Sequence, residues 1–145
     1  MMISTKGRYA LRVMTELATE PAEKMLPLKE VAKKQQISEK YLEAIIKGLV
    51  KQGLVVGARG KGGGYRLAKA PEKCTVWEIL EAAEGSLAPV ACMEAERKPC
   101  PRADRCATLP MWQGLDRVIR EYFNGITLAQ LAQQVGERGA DPCGI

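Results

Sequence analysis

The stretch that decides the fold is Arg59-Gly60-Lys61-Gly62-Gly63-Gly64-Tyr65. Four of its seven residues are glycine and two are cationic. Glycine lacks a Cβ, so such a segment can take positive φ and approach another backbone closely. It reads either as a phosphate cradle of a nucleotide-binding enzyme or as a hairpin tip carrying Arg59 and Lys61 toward nucleic acid. A phosphate loop runs from a strand into a helix whose N-terminus holds the anion. Here Leu54-Val55-Val56 reads as a strand, and Tyr65-Arg66-Leu67 as its return. Ala68-Lys69-Ala70-Pro71 is no helix start, and no Gly-Lys-Ser/Thr ending is present. The context selects the hairpin.

Upstream, residues 4–19 have helical apolar spacing at Tyr9, Ala10, Val13, Met14 and Leu17, with Ser4 or Thr5 as cap. A loop containing Pro21 and Pro27 follows, then a short helix through Leu28, Val31 and Ala32. Ser38 caps a third helix, whose Leu42, Ile45, Ile46 and Leu49 fall on one face, with Gly53 as its stop. Two helices with a tight turn, followed by a hairpin, make a winged helix-turn-helix. At about 100° per residue, the outward face of the third helix carries Lys40, Ala44, Lys47 and Lys51. Such a face can meet DNA phosphates, or it can be an ordinary solvated surface.

Downstream, Thr75 and Glu78 form a capping-box pattern at the head of a fourth helix that stops at Gly85. Residues 86–106 are loop-like. A long helix follows over roughly 108–124. Its Met111, Leu115, Val118 and Tyr122 are spaced 4, 3, 4, as a helix–helix seam requires. Leu109, Trp112, Ile119 and Phe123 widen that stripe beyond what one small domain covers, which suggests a dimer helix. Thr127 caps a last, short helix with Leu128, Leu131 and Ala132 inward. The fold expected is mostly α with a small β-hairpin. Residues 1–73 form a winged helix-turn-helix DNA-binding region, 74–135 a dimerisation region with its cysteine loop, and 136–145 a flexible tail.

Composition narrows the chemistry. The 145 residues suit one domain, and the net charge is +5. Residues 1–73 hold 15 Lys and Arg against 7 Asp and Glu; residues 74–145 hold 7 against 10. The front half is thus the part suited to a polyanion. Histidine is absent, which removes His-based acid–base catalysis, Ser–His and Cys–His pairs, and His metal ligands. No enzyme is expected. No apolar run spans a membrane and no signal-like segment opens the chain, so a cytoplasmic protein is expected. Five cysteines in that setting argue against a disulfide framework.

The N-terminal turn of a recognition helix meets base edges. Here that turn brings Ser38, Lys40, Tyr41 and Ala44, with Lys47 and Lys51 suited to phosphates. Ser38 can cap and also donate to phosphate, and Tyr41 can reach a phosphate or base edge. Glu43 is repelled by phosphate unless it accepts from a cytosine amino group, so it is either an operator-selectivity gate or a solvent-facing carboxylate. On the wing, Arg59 suits a narrow minor groove, beside Lys61, and Gly60 and Gly62 to Gly64 allow close approach to the sugar–phosphate chain. Cys92, Cys100 and Cys106 are spaced C-x7-C-x5-C, with Arg97, Lys98, Arg102 and Arg105 around them to favour thiolates. By spacing alone this loop suits an iron–sulfur cluster, zinc or free redox thiols. Cys74 reads as structural.

Four motifs carry a resemblance: Ser4-Thr5-Lys6-Gly7-Arg8-Tyr9-Ala10, Ile37-Ser38-Glu39-Lys40-Tyr41-Leu42-Glu43, the glycine stretch, and Ile126-Thr127-Leu128. Over about residues 1–135 the chain resembles the IscR/NsrR/CymR family of bacterial winged-helix transcription regulators, nearest its iron–sulfur cluster regulators. The resemblance implies a homodimer on a pseudo-palindromic duplex operator. It also implies an iron–sulfur cluster on Cys92, Cys100 and Cys106, [2Fe-2S] in preference to [4Fe-4S], and control of cluster-biogenesis genes. Repression or activation would follow from promoter position. The alternative is a cluster-free regulator switched by a partner protein or by thiol oxidation. The fourth ligand does not carry over: Leu109 stands where some relatives place histidine, and Arg8 where others place an acidic residue. Glu94, Glu96, Asp104, Cys143 or solvent remain.

Overall fold

A computed structural model of the chain describes residues 3–138. Six helices and one hairpin follow in order: α1 (Thr5–Ala18), α2 (Leu28–Gln35), α3 (Glu39–Lys51), β1 (Val55–Ala58), β2 (Gly64–Leu67), α4 (Val76–Glu84), α5 (Leu109–Asn124) and α6 (Leu128–Arg138). The elements begin and end where local chemistry dictates. The Ser4 side chain accepts from Gly7 N–H, and that of Ser38 from Tyr41 N–H. Thr75 and Glu78 complete a reciprocal capping box. Thr127 and Gln130 repeat that arrangement at α6, where Thr127 N–H donates to Gln130 Oε1 at 2.8 Å and Gln130 N–H to Thr127 Oγ1 at 3.2 Å. Gln36, at φ 55°, makes the turn from α2 to α3.

Two apolar clusters hold these elements. The first joins α1, α2, α3 and the root of the hairpin through residues such as Met14, Val31, Leu42, Ile46 and Val55. It also includes Cys74, Ile79 and Leu128. The second gathers Val76, Trp77, Leu80 and Leu87, with Ile119, Phe123, Ile126 and Leu131 against them. Because α1 packs on α4 and α6, regions 1–73 and 74–135 share a core. The segments entering α4 and α6 pair through Val76 N–H to Ile126 O (2.9 Å) and Leu128 N–H to Cys74 O (2.8 Å). Among the described residues, no helix is long and apolar enough to cross a membrane.

Three expectations change. The last helix continues through Gly136 to Arg138, so a tail beginning at residue 136 is too early; Cys143 and the remainder of the expected tail lie outside the described residues. The apolar stripe on α5 divides in two. Ile119 and Phe123 pack on the second cluster, and Leu109 and Trp112 are half-buried, whereas the 4-3-4 row stays bare: Met111 is 56%, Leu115 41%, Val118 61% and Tyr122 65% exposed. The loop ahead of α2 contains a strand-like contact, because Leu26 pairs antiparallel with Tyr65.

Candidate nucleic-acid interface and cysteine loop

The apolar face of α3 fixes what the opposite face can present. With Leu42, Ile45, Ile46 and Leu49 each 1% exposed or less, Lys40, Ala44, Lys47 and Lys51 all lie at the surface, as the periodicity predicts. Ser38 is exposed at the head of the helix; its oxygen accepts the cap bond at 3.1 Å, leaving its proton to donate. Glu43 is exposed and sits 3.5 Å from Lys47 Nζ. That pair is solvent-screened and worth well under about 1 kcal/mol, so either group can leave it for another partner.

Tyr41 lies in the first turn of α3. It is half-buried against the first cluster, and its ring meets Tyr9 edge to face at 5.7 Å. Arg12 lies over the Tyr9 ring, 5.0 Å from its centre. The same guanidinium donates to Gln35 Oε1 (3.0 Å) and to the Gln35 carbonyl (2.7 Å). Gln35 is 8% exposed and in turn donates to Glu16, which also receives Lys34 at 2.9 Å. Thus Arg12 ties α1 to the end of α2, one residue before the turn into α3. Sequence periodicity did not single out Arg12 or Gln35, because their partnership spans 23 residues. The only sequence signal is a polar Gln at a position the helix buries.

The hairpin pairs Val55 with Leu67, Val56 with Arg66, Gly57 with Tyr65 and Ala58 with Gly64. Its tip turns through Gly63 N–H to Gly60 O at 3.0 Å, with Gly62 at φ 77° in the third turn position, where glycine is required. Arg59, Gly60 and Lys61 are exposed there. The glycines divide into two groups. Around Gly60 and Gly62 there is open space, so these can admit another molecule. Gly63 and Gly64 instead face the chain itself: a Cβ on Gly63 would meet the Ala58 carbonyl, and one on Gly64 the Leu26 carbonyl. Their Cβ positions are thus occupied by their own backbone, a reason for glycine besides the approach to DNA expected of them.

The cysteine loop holds little regular structure beyond a short 3-10 turn at Ala91–Met93. Cys92 is exposed, and Cys100 and Cys106 are half-buried. Cys106 Sγ lies 3.4 Å from Thr108 Oγ1 at the start of α5. The Thr108 hydroxyl, and then its N–H, hold the Cys106 thiol below the usual thiol range, with a further contribution from Arg102. The donor set fits an iron–sulfur cluster in kind, being three thiols among four cations. It does not fit in arrangement: among the described residues no three Cys, Asp or Glu side chains converge to hold a metal. Of the remaining fourth-ligand candidates, Glu94 is engaged by Arg97 at 3.1 Å, while Glu96 and Asp104 are exposed. Cys74 belongs to the core at 1% exposure, as expected of a structural thiol.

Comparison with known proteins agrees with this architecture. Residues 3–134 match the Rrf2 family, described as iron-dependent transcriptional regulators. The chain is 37% identical over 131 residues to the HTH-type transcriptional regulator IscR of Erwinia tasmaniensis, covering 90% of this chain and 78% of that protein. Its fold is similar to that of CymR, the global cysteine regulator of B. subtilis, at 36% identity, TM-score 0.74, and coverage of 92% of this chain and 98% of that one. It is similar also to T. potens IscR, at 32% identity, TM-score 0.74, and coverage of 99% and 94%. With a winged helix-turn-helix and matches along nearly the whole length to proteins named as transcriptional regulators, the chain belongs to the Rrf2 family of transcriptional regulators.

Proposed function

We propose that the protein is a homodimeric regulator that reads a pseudo-palindromic operator with α3 and the wing, and whose cysteine loop sets its affinity for DNA. The observation that carries this reading is the exposed Lys40–Ala44–Lys47–Lys51 face, opposite the buried face of α3, with an exposed Arg59–Lys61 hairpin tip. Lys47, Lys51 and Lys61 supply phosphate contacts. Ser38, Lys40 and Ala44 lie nearest base edges, and Arg59 enters the minor groove. Tyr41 acts beneath them, through Tyr9, as a support of the helix. Glu43, once released from Lys47, penalises operators that offer it no cytosine amino group.

Dimerisation through the bare Met111–Leu115–Val118–Tyr122 row sets the two α3 helices in successive major grooves. Each protomer's loop lies at the entrance to α5, so a change at Cys92, Cys100 or Cys106 can alter the spacing of the two recognition helices. It changes DNA affinity only by its differential free energy between the DNA-competent and DNA-incompetent arrangements. An iron–sulfur cluster on the three cysteines, [2Fe-2S] by resemblance to IscR, requires the loop to gather sulfurs that stand apart in this arrangement. Thiol oxidation is the second reading. In its favour, a relative, CymR of Staphylococcus aureus at 31% identity and TM-score 0.68, has been solved in an oxidized form. Protein purified without oxygen and assayed for iron, acid-labile sulfide and free thiols separates the two. Stoichiometric iron and sulfide support the cluster; their absence, with loss of loop thiols on mild oxidation, supports the thiol switch.

A further inference from the structure

The wing tip is two cationic residues on a four-residue ribbon, and a two-stranded ribbon alone is a poor positioning device. This one is not alone. Leu26 N–H donates to Tyr65 O at 2.9 Å, and Tyr65 N–H returns the bond to Leu26 O at 2.8 Å. Leu26 is 1% exposed, and the next residue, Pro27, caps the N-terminus of α2. The ribbon is therefore bonded to the backbone two residues ahead of α2, the helix that leads into α3. Gly64 makes this possible. Its φ is 143°, and a Cβ there would run into the Leu26 carbonyl and stand 2.9 Å from Pro27 N. On the neighbouring strand, Gly57 leaves room for the Tyr65 ring, since a Cβ would sit 2.8 Å from Tyr65 Cε1. Tyr65 is thus held by its backbone to Leu26 and by its ring over Gly57.

We propose that Gly64, through the Leu26–Tyr65 backbone pin that it permits, is a positioning residue for DNA recognition, holding Arg59 and Lys61 in fixed register with the lysine face of α3. The proposal rests on the DNA-binding reading above. It assigns Gly64 a task different from that of Gly60 and Gly62, whose surroundings are open. With the pin intact, groove contacts by α3 and by the tip form one preorganised surface, and the wing pays little ordering entropy on binding. With the pin broken, the tip retains its charges but loses its register.

The test is a double-mutant cycle on a palindromic duplex selected by the wild-type protein from a random-sequence pool, with a scrambled duplex as control. Arg59→Ala/Lys61→Ala in the wild-type background is expected to weaken binding about tenfold. Gly64→Ala is expected to cost about the same, and tip removal in the Gly64→Ala background to add less than about twofold. A tip that still contributes its full tenfold in folded Gly64→Ala protein overturns the proposal. So does a wild-type tip that contributes nothing; protection of major-groove guanines would then show that the DNA-binding reading stands without the wing. Hydrogen exchange of the Leu26 and Tyr65 amides in DNA-free wild-type protein is the second measurement and needs no variant. Protection comparable to that of the hairpin's own ladder is expected, and exchange at unstructured rates overturns the pin.

Discussion

At the residue scale, the cysteines divide by environment. Burial, and secondarily the Glu78 carboxylate, push the Cys74 thiol up to about 11, against 9.0 for an unperturbed thiol. The folded state therefore holds this proton more tightly than the unfolded chain. The stabilisation is complete below pH 9 and is lost as pH rises toward 11, because the unfolded thiol ionises first. Between pH 8 and 10.5 the wild type should lose on the order of 2 kcal/mol more than Cys74→Ala, read by urea denaturation. Cys92, being exposed, should react with an alkylating reagent under conditions that spare Cys74. The core identity of Cys74 was legible because it stands immediately before a well-capped apolar helix. The placement of Tyr41 was not, because its neighbour Tyr9 is 32 positions away and no local period reports an edge-to-face pair. The tie from Ser4 to Glu84 Oε1 (2.8 Å from the backbone N, 2.7 Å from the hydroxyl) spans 80 positions and was equally invisible.

At the scale of elements, helix ends follow short-range chemistry, which is why they could be read. Glu78 N–H donates to Thr75 Oγ1 at 3.2 Å, and Thr75 N–H donates to Glu78 Oε2 at 2.9 Å. Glu78 also pairs with Lys69 at 2.6 Å. Burial pushes the Glu78 carboxyl up, but Lys69 and the Thr75 N–H outweigh it and hold the group below its ordinary value. Thr75→Ala removes the cap and should cost about 1 kcal/mol, or roughly 4 °C in a thermal melt. The hairpin was legible for the same reason: Val55 and Tyr65 flank a turn whose glycines have no other local use. What the glycines do individually was not legible, since Gly64 is explained by Leu26, which lies far back in sequence. The apolar stripe on α5 shows the same limit. Its period announced one wide apolar stripe, and only packing on α4 reveals that Ile119 and Phe123 are covered and Val118 is not.

At the scale of the whole molecule, the charge asymmetry and the bare α5 seam belong to one design. The basic front half carries α3 and the wing, and the seam lies on the element that follows the cysteine loop. Four large apolar side chains at 4-3-4 spacing, each at least 41% exposed, are costly to leave in water. Val118→Asp should convert a dimer to a monomer in sedimentation and weaken binding to a palindromic operator about 100-fold, as simultaneous engagement of two half-sites is lost. Binding to a single half-site should change little. The most direct test of the account compares affinity for that palindromic operator in two states of the same preparation, reduced without oxygen and mildly oxidised, with a Cys92→Ser/Cys100→Ser/Cys106→Ser variant beside it. Wild-type affinity should change at least about fivefold between the states, and that of the variant should not change. Equal wild-type affinity in both states, or an equal change in the variant, would contradict the claim that the cysteine loop governs DNA binding.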